Sequence, residues 1–268
     1  MKYRAIAIAL ICFISLTGLL SCGLEEVFYI DYIPSGDYKD TSTVIILPEP
    51  TRENGYDRDY GYFDNFIIFY RLYISPNLVQ TGNLKDDSTA RVTVNSALNS
   101  DYGGLNSLTD ITSTSVNTSN LESTFSTRRY FLLTLENADI NRVLNSDSLT
   151  GERRLEISFD TNNGVQPVLR VNNGPSYNLR RAVENVNLNL YDLNPLPDRR
   201  FLNHPELYNT ANVTSGRNAD VAANGAADLR YTYVSMYIAA RGTGDIPPRT
   251  IYSQPTFAGI FRLSEWSN

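Results

Sequence analysis

The N-terminal segment constrains this chain more than any other part of the sequence. Lys2 and Arg4 form a short basic head, and residues 5–20 form an almost unbroken apolar run. The small residue Ser21 then precedes Cys22. This order is the layout of a secretory signal peptide, and the apolar run is shorter than the roughly 20 residues that span a bilayer. The sequence therefore predicts an exported protein.

The end of this segment, residues 19–22 (LLSC), resembles a bacterial lipobox. In the lipoprotein family a peptidase cuts before the cysteine, and its sulfur carries diacylglycerol. The resemblance implies a signal peptide over residues 1–21 and lipidation of Cys22. Two alternatives remain open, namely an ordinary signal peptide with a coincidental cysteine and an uncleaved N-terminal anchor.

The number of cysteines supports lipidation. Cys12 lies inside the apolar run and would leave with the signal peptide, so Cys22 would be the only cysteine of the mature chain. A lone cysteine in an exported protein needs an explanation, and acylation supplies one. Each buried methylene contributes about 0.8 kcal/mol to membrane affinity, and a second acyl chain makes the membrane anchoring stable. The resemblance implies a lipid anchor in the bacterial envelope. In some lipoproteins an Asp after the cysteine causes retention in the inner membrane; here Gly23 follows, so we expect sorting to the outer membrane.

The composition of the rest favours a β-rich body, and we predict no cofactor. We interpret residues 22–41 as the lipidated N-terminus and tether, and residues 42–268 as the body, which is long enough to bury a core. The net charge of −6 argues against nucleic acid as a partner, since that requires a clustered basic surface. Tyr is abundant, with 18 residues, whereas Met and His are scarce. This composition suits an all-β extracytoplasmic domain.

Two segments predict the main strands. Residues 65–74 (NFIIFYRLYI) are apolar on both faces, which predicts a central strand covered on both sides. Residues 229–240 carry a second strong pattern, with Val234, Met236 and Ile238 on one face. Further strands are predicted over residues 43–47, 127–135, 153–159, 165–171, 185–193 and 251–263. Residues 111–123 read as a solvated loop, 139–149 as a helical turn, and 172–175 and 241–245 as turns.

Three pieces of sequence together resemble an immunoglobulin-like or fibronectin type III sandwich. They are TVIILPEP, NFIIFYRLYI, and YVSMYIAARGTGD with YSQPTF. The positions that match the family are Ala240, Gly242, Gly244, Ser253 and Pro255. The resemblance implies an all-β sandwich, although a core Trp near residue 45 is missing. The chain also resembles the uncharacterised lipoproteins of spirochaetes in its lipobox and in its FYRLYIS and YSQP strings.

The number of residues between the two strong strands is much larger than in this family. A single domain of that kind has about 100 residues. A large, mostly β insertion over about residues 78–225, with minor helix, would account for the difference. The long polar segment 194–228 suggests a binding or variable region, or an element that the sequence pattern does not show.

The sequence offers little for catalysis. His204 is the single histidine, and a catalytic histidine needs a nucleophile and an orienting group. The chain has no Gly-x-Ser-x-Gly nucleophile elbow. We therefore predict that the protein is not an enzyme. The alternative is a lipid-anchored carbohydrate-active enzyme, which would need two carboxylates roughly 5 to 9 Å apart, and the sequence nominates no such pair.

The loop over residues 51–64 is the one feature that suggests binding. Tyr56, Tyr60, Tyr62 and Phe63 alternate with small and polar residues. Tyrosine gives broad contact area at low entropic cost, as binding loops require. The alternative is that these rings cover the end of the sandwich, because buried aromatic side chains dominate small β cores.

The same loop contains weak candidates for a metal site. Asp57, Asp59 and Asp64 lie close together in sequence and could supply oxygen ligands to calcium. The EF-hand pattern, with Gly at its sixth position and Glu at its twelfth, is absent. We predict no metal and keep a calcium-dependent adhesin as an alternative.

The sequence thus predicts a membrane-anchored, extracytoplasmic lipoprotein with a non-catalytic binding or envelope-structural role. Its partners would be the membrane, through the lipid, and a protein or glycan ligand. Residues 51–64 and 194–228 are predicted to lie at one end of the sandwich and to carry the contact.

Overall fold

The computed structural model describes the β-rich body in segments. The described residues are 30, 33–34, 36–38, 41–49, 63–75, 121–127, 129–145, 151–160, 166–182, 199–201, 220–222, 231–245 and 248–263. The signal peptide over 1–21, Cys22, His204 and the strand predicted over 185–193 lie outside them.

The described residues form mainly β-strands. The strands are β1 (Asp37–Tyr38), β2 (Ser42–Leu47), β3 (Phe63–Ser75), β4 (Phe131–Leu132), β5 (Thr134–Leu135), β6 (Arg153–Ser158), β7 (Val168–Val171), β8 (Ser176–Arg180), β9 (Val221–Ala222), β10 (Tyr231–Asp245), β11 (Pro248–Tyr252) and β12 (Thr256–Arg262). The helices are α1 (Leu121–Thr127) and α2 (Ile140–Leu144).

These strands build two sheets. Sheet 1 has the order β1-β2-β6-β7-β8-β5. Sheet 2 has the order β11-β10-β3-β4, with β12 also paired to β10 and β9 paired to β3. The β3–β9 pair is parallel, and the other described pairs are antiparallel. The prediction of an all-β fold with minor helix is confirmed at this level.

The centre of sheet 2 is the long pair of β3 and β10. Their register runs from Tyr231 opposite Ser75 to Gly242 opposite Phe63. Residues 66–73 and 232–240 are all buried, so both faces of this pair are covered. The sequence prediction of a central strand is therefore confirmed, and the reason is the apolar character of both faces of β3.

One face of this pair packs toward sheet 1. The ring of Phe159, which follows β6, stacks on Phe261 of β12 with centroids 5.3 Å apart. Phe201 contacts both Phe159 and Tyr70 edge to face. These rings fill the space between the layers, where aromatic pairs add to the gain from burial.

Helix α1 covers the opposite face of sheet 2. Leu121 and Phe125 are fully buried, and the ring of Phe125 stacks on Phe69 with centroids 4.2 Å apart. The sequence prediction was wrong here, since it placed a loop up to residue 123 and a strand from residue 127. Seven residues with few apolar side chains give no helical pattern, and burial of two of them stabilises the helix instead.

The C-terminal strands also differ from the prediction. Residues 241–245 continue β10 rather than turning, because β11 pairs with them. The closing segment is two strands, broken at Ser253. The amide of Ser253 donates to the Ala240 carbonyl and its Oγ accepts from the Ala240 amide, both at 2.9 Å. Its side chain thus replaces a backbone acceptor, and Pro255 cannot donate to a ladder.

Strands from the region 78–225 complete sheet 1. β6 pairs with β2 along its whole length, from Ser42 opposite Ser158 to Leu47 opposite Arg153. The same region also contributes β4 and β9 to sheet 2, so its described strands lie in both sheets. Its assignment as an inserted subdomain stays a prediction.

Part of the tether is packed on the body. Ile30 and Ile33 are buried, and the hydroxyl of Thr256 donates to the carbonyl of Ile33. β1 then pairs with β2. Ile30, Ile33 and β1 are thus fixed to the body.

Candidate functional site

A surface groove lies between α2 and the hairpin formed by β7 and β8. Its volume is about 580 Å³, which falls within the range typical of small-ligand sites. The residues that line it are Asn137, Ala138, Asp139, Arg142, Val143, Val171, Asn172, Gly174, Pro175 and Tyr177. We call this cavity the α2 groove.

Local contacts fix α2 in place. The side chain of Asp139 accepts a hydrogen bond from the Asn141 amide at 2.9 Å and so caps the helix. At the other end, Arg153 donates to the Leu144 carbonyl at 2.7 Å. The Asn145 side chain accepts from the Phe66 amide at 3.2 Å. The helix is tied to both sheets, so this wall of the groove is preorganised.

The hairpin turn fixes the second wall. Asn172 and Asn173 adopt positive φ values of 51° and 58°, which Asn tolerates better than most residues. The Gly174 amide donates to the Val171 carbonyl at 2.8 Å. The Asn172 Oδ1 accepts from the Arg154 amide at 2.7 Å. The turn predicted over residues 172–175 is confirmed, and it orients the Asn172 side chain.

The floor of the groove is apolar. Tyr177 lies directly opposite Leu169 in the β7–β8 register, so the two side chains share one face of sheet 1. Leu169 is fully buried, whereas Tyr177 is half-buried and lines the groove. Val171 and Val143 complete the apolar lining. A ligand here would therefore meet an aromatic and aliphatic surface below a polar rim.

The rim carries one charge of each sign. Asp139 and Arg142 are both exposed. No salt bridge joins Arg142 to another described residue. The groove thus offers both acceptors and donors and has no strong net charge.

A second polar cluster is buried between the layers. Arg181 and Asp220 form an ion pair in which both side chains are fully buried. Nε of Arg181 donates to Oδ2 of Asp220 at 2.9 Å, and Nη2 donates to Oδ1 at 2.5 Å. The Tyr70 hydroxyl donates to Oδ2 at 2.6 Å and accepts from the Ala182 amide at 2.8 Å. We call these three side chains the core network.

The core network acts as a structural tie. The Asp220 carbonyl accepts from the Leu72 amide, and the Arg181 amide donates to the Arg199 carbonyl. The network therefore joins β3 to three separate stretches, residues 181–182, 199–201 and 220–222. The Asp220 carboxylate accepts three hydrogen bonds and is fully buried, as expected for a structural contact.

Buried tyrosines make the stability of this fold sensitive to alkaline pH. Burial, followed by the nearby Asp220 carboxylate, raises the pKa of Tyr70 well above its usual range. Burial also raises the pKa of Tyr130, whose hydroxyl meets those of Tyr73 and Ser235. Above pH about 10 the unfolded chain loses these protons while the folded chain retains them. Folding stability should therefore be intact below that pH and fall as the pH rises.

The expected slope is about 1.4 kcal/mol per pH unit for each such tyrosine. Urea unfolding measured at several values between pH 8 and pH 11 would give this slope. Tyr130→Phe should make the fall shallower than in the wild type by up to this amount. Equal slopes in the two proteins would contradict the prediction.

The structure places two residues of the predicted binding loop. Phe63 begins β3, is 4% exposed and packs against Phe66 with ring centroids 4.9 Å apart, so it belongs to the core. Asp64 is exposed and accepts a hydrogen bond from the Thr243 hydroxyl at 2.9 Å. Tyr56, Tyr60, Tyr62, Asp57 and Asp59 lie outside the described residues. Their role in binding stays a prediction.

No described part of the chain assembles three or more His, Cys, Asp or Glu side chains around a common point. Of the three candidate calcium ligands only Asp64 is described, so the calcium site stays an untested alternative.

The described residues 63–64 and 221 of the two predicted binding segments meet β3 at different points along the strand. Residues 63–64 start the strand, whereas Val221 pairs with Leu72 near its other end. At about 3.3 Å per residue these points are about 30 Å apart. Most of residues 51–64 and 194–228 lies outside the described residues, so their predicted location at one end of the sandwich stays a prediction.

Sequence reasoning missed the α2 groove. It indicated the helical turn and the Asn-Asn-Gly-Pro turn separately. Their approach depends on contacts of Asn145 with Phe66, 79 residues away, which leave no local pattern.

Among the described residues, no helix is both long enough and apolar enough to cross a bilayer. Comparison with known proteins finds no family model, no curated protein and no solved structure that matches this chain.

Proposed function

We propose that this protein is a lipid-anchored, extracytoplasmic lipoprotein of the bacterial envelope, whose body binds a ligand without catalysis. The observation that carries the anchor is the sequence from Met1 to Cys22, which combines a basic head, a short apolar run and a small residue before cysteine. The feature that supports binding is the α2 groove, with its apolar floor and polar rim. For the body we propose an immunoglobulin-like or fibronectin type III topology.

The groove favours binding over glycoside hydrolysis. Such hydrolysis needs two carboxylates across the bond that is cleaved. The groove lining contains one, Asp139, and this carboxylate already caps α2. A structural role in the envelope is the competing proposal, and it would require no ligand.

A short tether would hold the body near the membrane. Ile30 is buried on the body and follows Cys22 by eight residues. Eight extended residues span at most about 28 Å. If Cys22 carries the lipid, the packed end of the tether stays within that distance of the bilayer.

We expect Cys22→Ala to abolish lipidation. Wild-type protein expressed in a bacterial host with labelled palmitate should carry the label and enter the detergent phase. The variant should carry no label, since the acylated sulfur is gone, and should keep the mass of the uncleaved precursor. Both effects would be complete rather than partial, because a single atom carries the anchor.

Cys12→Ala is the matched control, because it removes the other cysteine of the chain. This variant should be labelled and processed like the wild type. An unlabelled wild-type protein, or label that persists in Cys22→Ala, would overturn the proposal of a lipid anchor.

A further inference from the structure

We infer that the α2 groove binds a short, uncharged saccharide. This inference rests on the proposed function, which assigns the body a ligand, and adds the chemical class of that ligand. The volume of about 580 Å³ suits a small molecule rather than a protein surface.

The floor of the groove matches the apolar face of a sugar ring. Tyr177 is half-buried, and its cross-strand neighbour Leu169 is fully buried behind it. Pro175 and Val171 extend this surface. Aromatic side chains give large contact area with one polar end, so a ring with C–H groups on one face and hydroxyls at its edge fits them.

The rim offers the mixture of donors and acceptors that hydroxyl groups require. Oδ1 of Asn172 accepts from the Arg154 amide, and the NH₂ group of the same side chain supplies two further donors. Oδ1 of Asp139 accepts from the Asn141 amide, and Oδ2 is a second acceptor. Arg142 adds a planar group with several donors. Each hydroxyl both donates and accepts, so such a rim can satisfy several neighbouring hydroxyls at once.

The electrostatics disfavour an anionic ligand. A phosphate or sulfate site is normally built from several cations or from unpaired backbone amides. Here one cation, Arg142, shares the lining with the Asp139 carboxylate. A ligand without net charge meets neither repulsion nor an uncompensated charge.

The topology disfavours an extended peptide. A peptide that adds to a sheet needs an exposed edge strand. β7 lies between β6 and β8, and β8 pairs with β5 at Leu179 and Arg180, where the Glu136 amide also donates to the Asn178 carbonyl. The groove therefore recognises its ligand through side chains.

The fixed position of both walls favours binding of a small ligand. Arg153 and Asn145 hold α2, and the Val171–Gly174 turn holds the hairpin. Little conformational entropy is then lost when the ligand binds, which matters most for a ligand with few contacts.

The test uses the full-length lipidated protein, purified in lauryldimethylamine oxide so that no sugar-headed detergent competes. Neutral and acidic oligosaccharides of short length, together with a library of short peptides, are screened by calorimetry and on arrays. We expect binding of neutral saccharides. Tyr177→Ala and Arg142→Gln should each weaken that binding by about tenfold or more, since each removes a central contact.

Two variants serve as controls. Tyr177→Phe keeps the ring and should bind nearly as well as the wild type. Arg170→Gln changes an arginine of the same hairpin that is hydrogen-bonded to Ser176 outside the groove lining, and should not alter binding. Because Arg142 is exposed, its variant stays informative if Tyr177→Ala fails to fold.

Palmitate-labelled protein that binds no saccharide would overturn this inference and leave the lipid anchor intact. Saccharide binding that survives both groove variants would overturn the location. Peptide binding that these variants abolish would overturn the ligand class. A protein without the palmitate label would instead contradict the proposed function, whatever the outcome of the binding screen.

Discussion

Replacing Asp220 with alanine should lower the free energy of unfolding by about 3–5 kcal/mol. The change removes the carboxylate that pairs with the fully buried Arg181 guanidinium and accepts from the Tyr70 hydroxyl. Removal of one partner of a buried ion pair costs several kcal/mol, which is a large part of the roughly 5–15 kcal/mol that stabilises most proteins. Urea unfolding followed by far-UV circular dichroism measures the loss.

Two further variants isolate the reason for this loss. Glu152→Ala, at an exposed position before β6, should change stability by at most about 0.5 kcal/mol. The double variant Arg181→Met with Asp220→Leu should recover much of the loss, because it removes both charges and fills similar volume. An Asp220→Ala protein as stable as wild type would show that the core network is not a structural tie.

Replacing Phe125 with alanine should cost about 3–5 kcal/mol, the usual range for a buried phenylalanine. Phe125 is fully buried and contacts Phe69, Tyr130 and Tyr237, with ring centroids 4.2 to 5.5 Å away. Helix α1 has seven residues and is too short to persist without this contact. We therefore expect α1 to detach, which would expose the aromatic face of sheet 2.

Unfolding in urea and the near-UV dichroism of the tyrosines around Phe125 would report both effects. Phe125→Leu keeps most of the volume and should lose less than about 1.5 kcal/mol. Leu132→Ala, at a side chain that is 38% exposed, should be nearly neutral. If Phe125→Ala and Leu132→Ala were equally stable, the packing of α1 would not stabilise the fold.

The core network and α1 have the same consequence for the site. The core network ties Tyr70 of β3 to Arg181 and Asp220. Helix α1 covers the face of sheet 2 that is turned away from sheet 1. Both hold the layers between which α2 is fixed. Disruption of either should therefore also impair the α2 groove, although neither contributes to its lining.

The features that the sequence determined are local. Alternation of apolar residues placed Leu155, Ile157 and Phe159 on the buried face of the β6 segment, where all three are fully buried. The apolar faces of β3 predicted its central position, and Asn-Asn-Gly-Pro predicted the turn before β8. Each of these follows from interactions within a few residues, which the order of residue types records directly.

Tertiary contacts decided the rest. The sequence contains Tyr70, Arg181 and Asp220 without any sign that they meet, since 150 residues separate Tyr70 from Asp220. The helix at Phe125 has no pattern of its own. Gly242 and Gly244, which were predicted to lie in a turn, instead pair with β11. Burial of a charge and the approach of α2 to a distant hairpin depend on which surfaces the folded chain brings together. The interaction energies that decide these features are between residues far apart in sequence, and local periodicity cannot encode them.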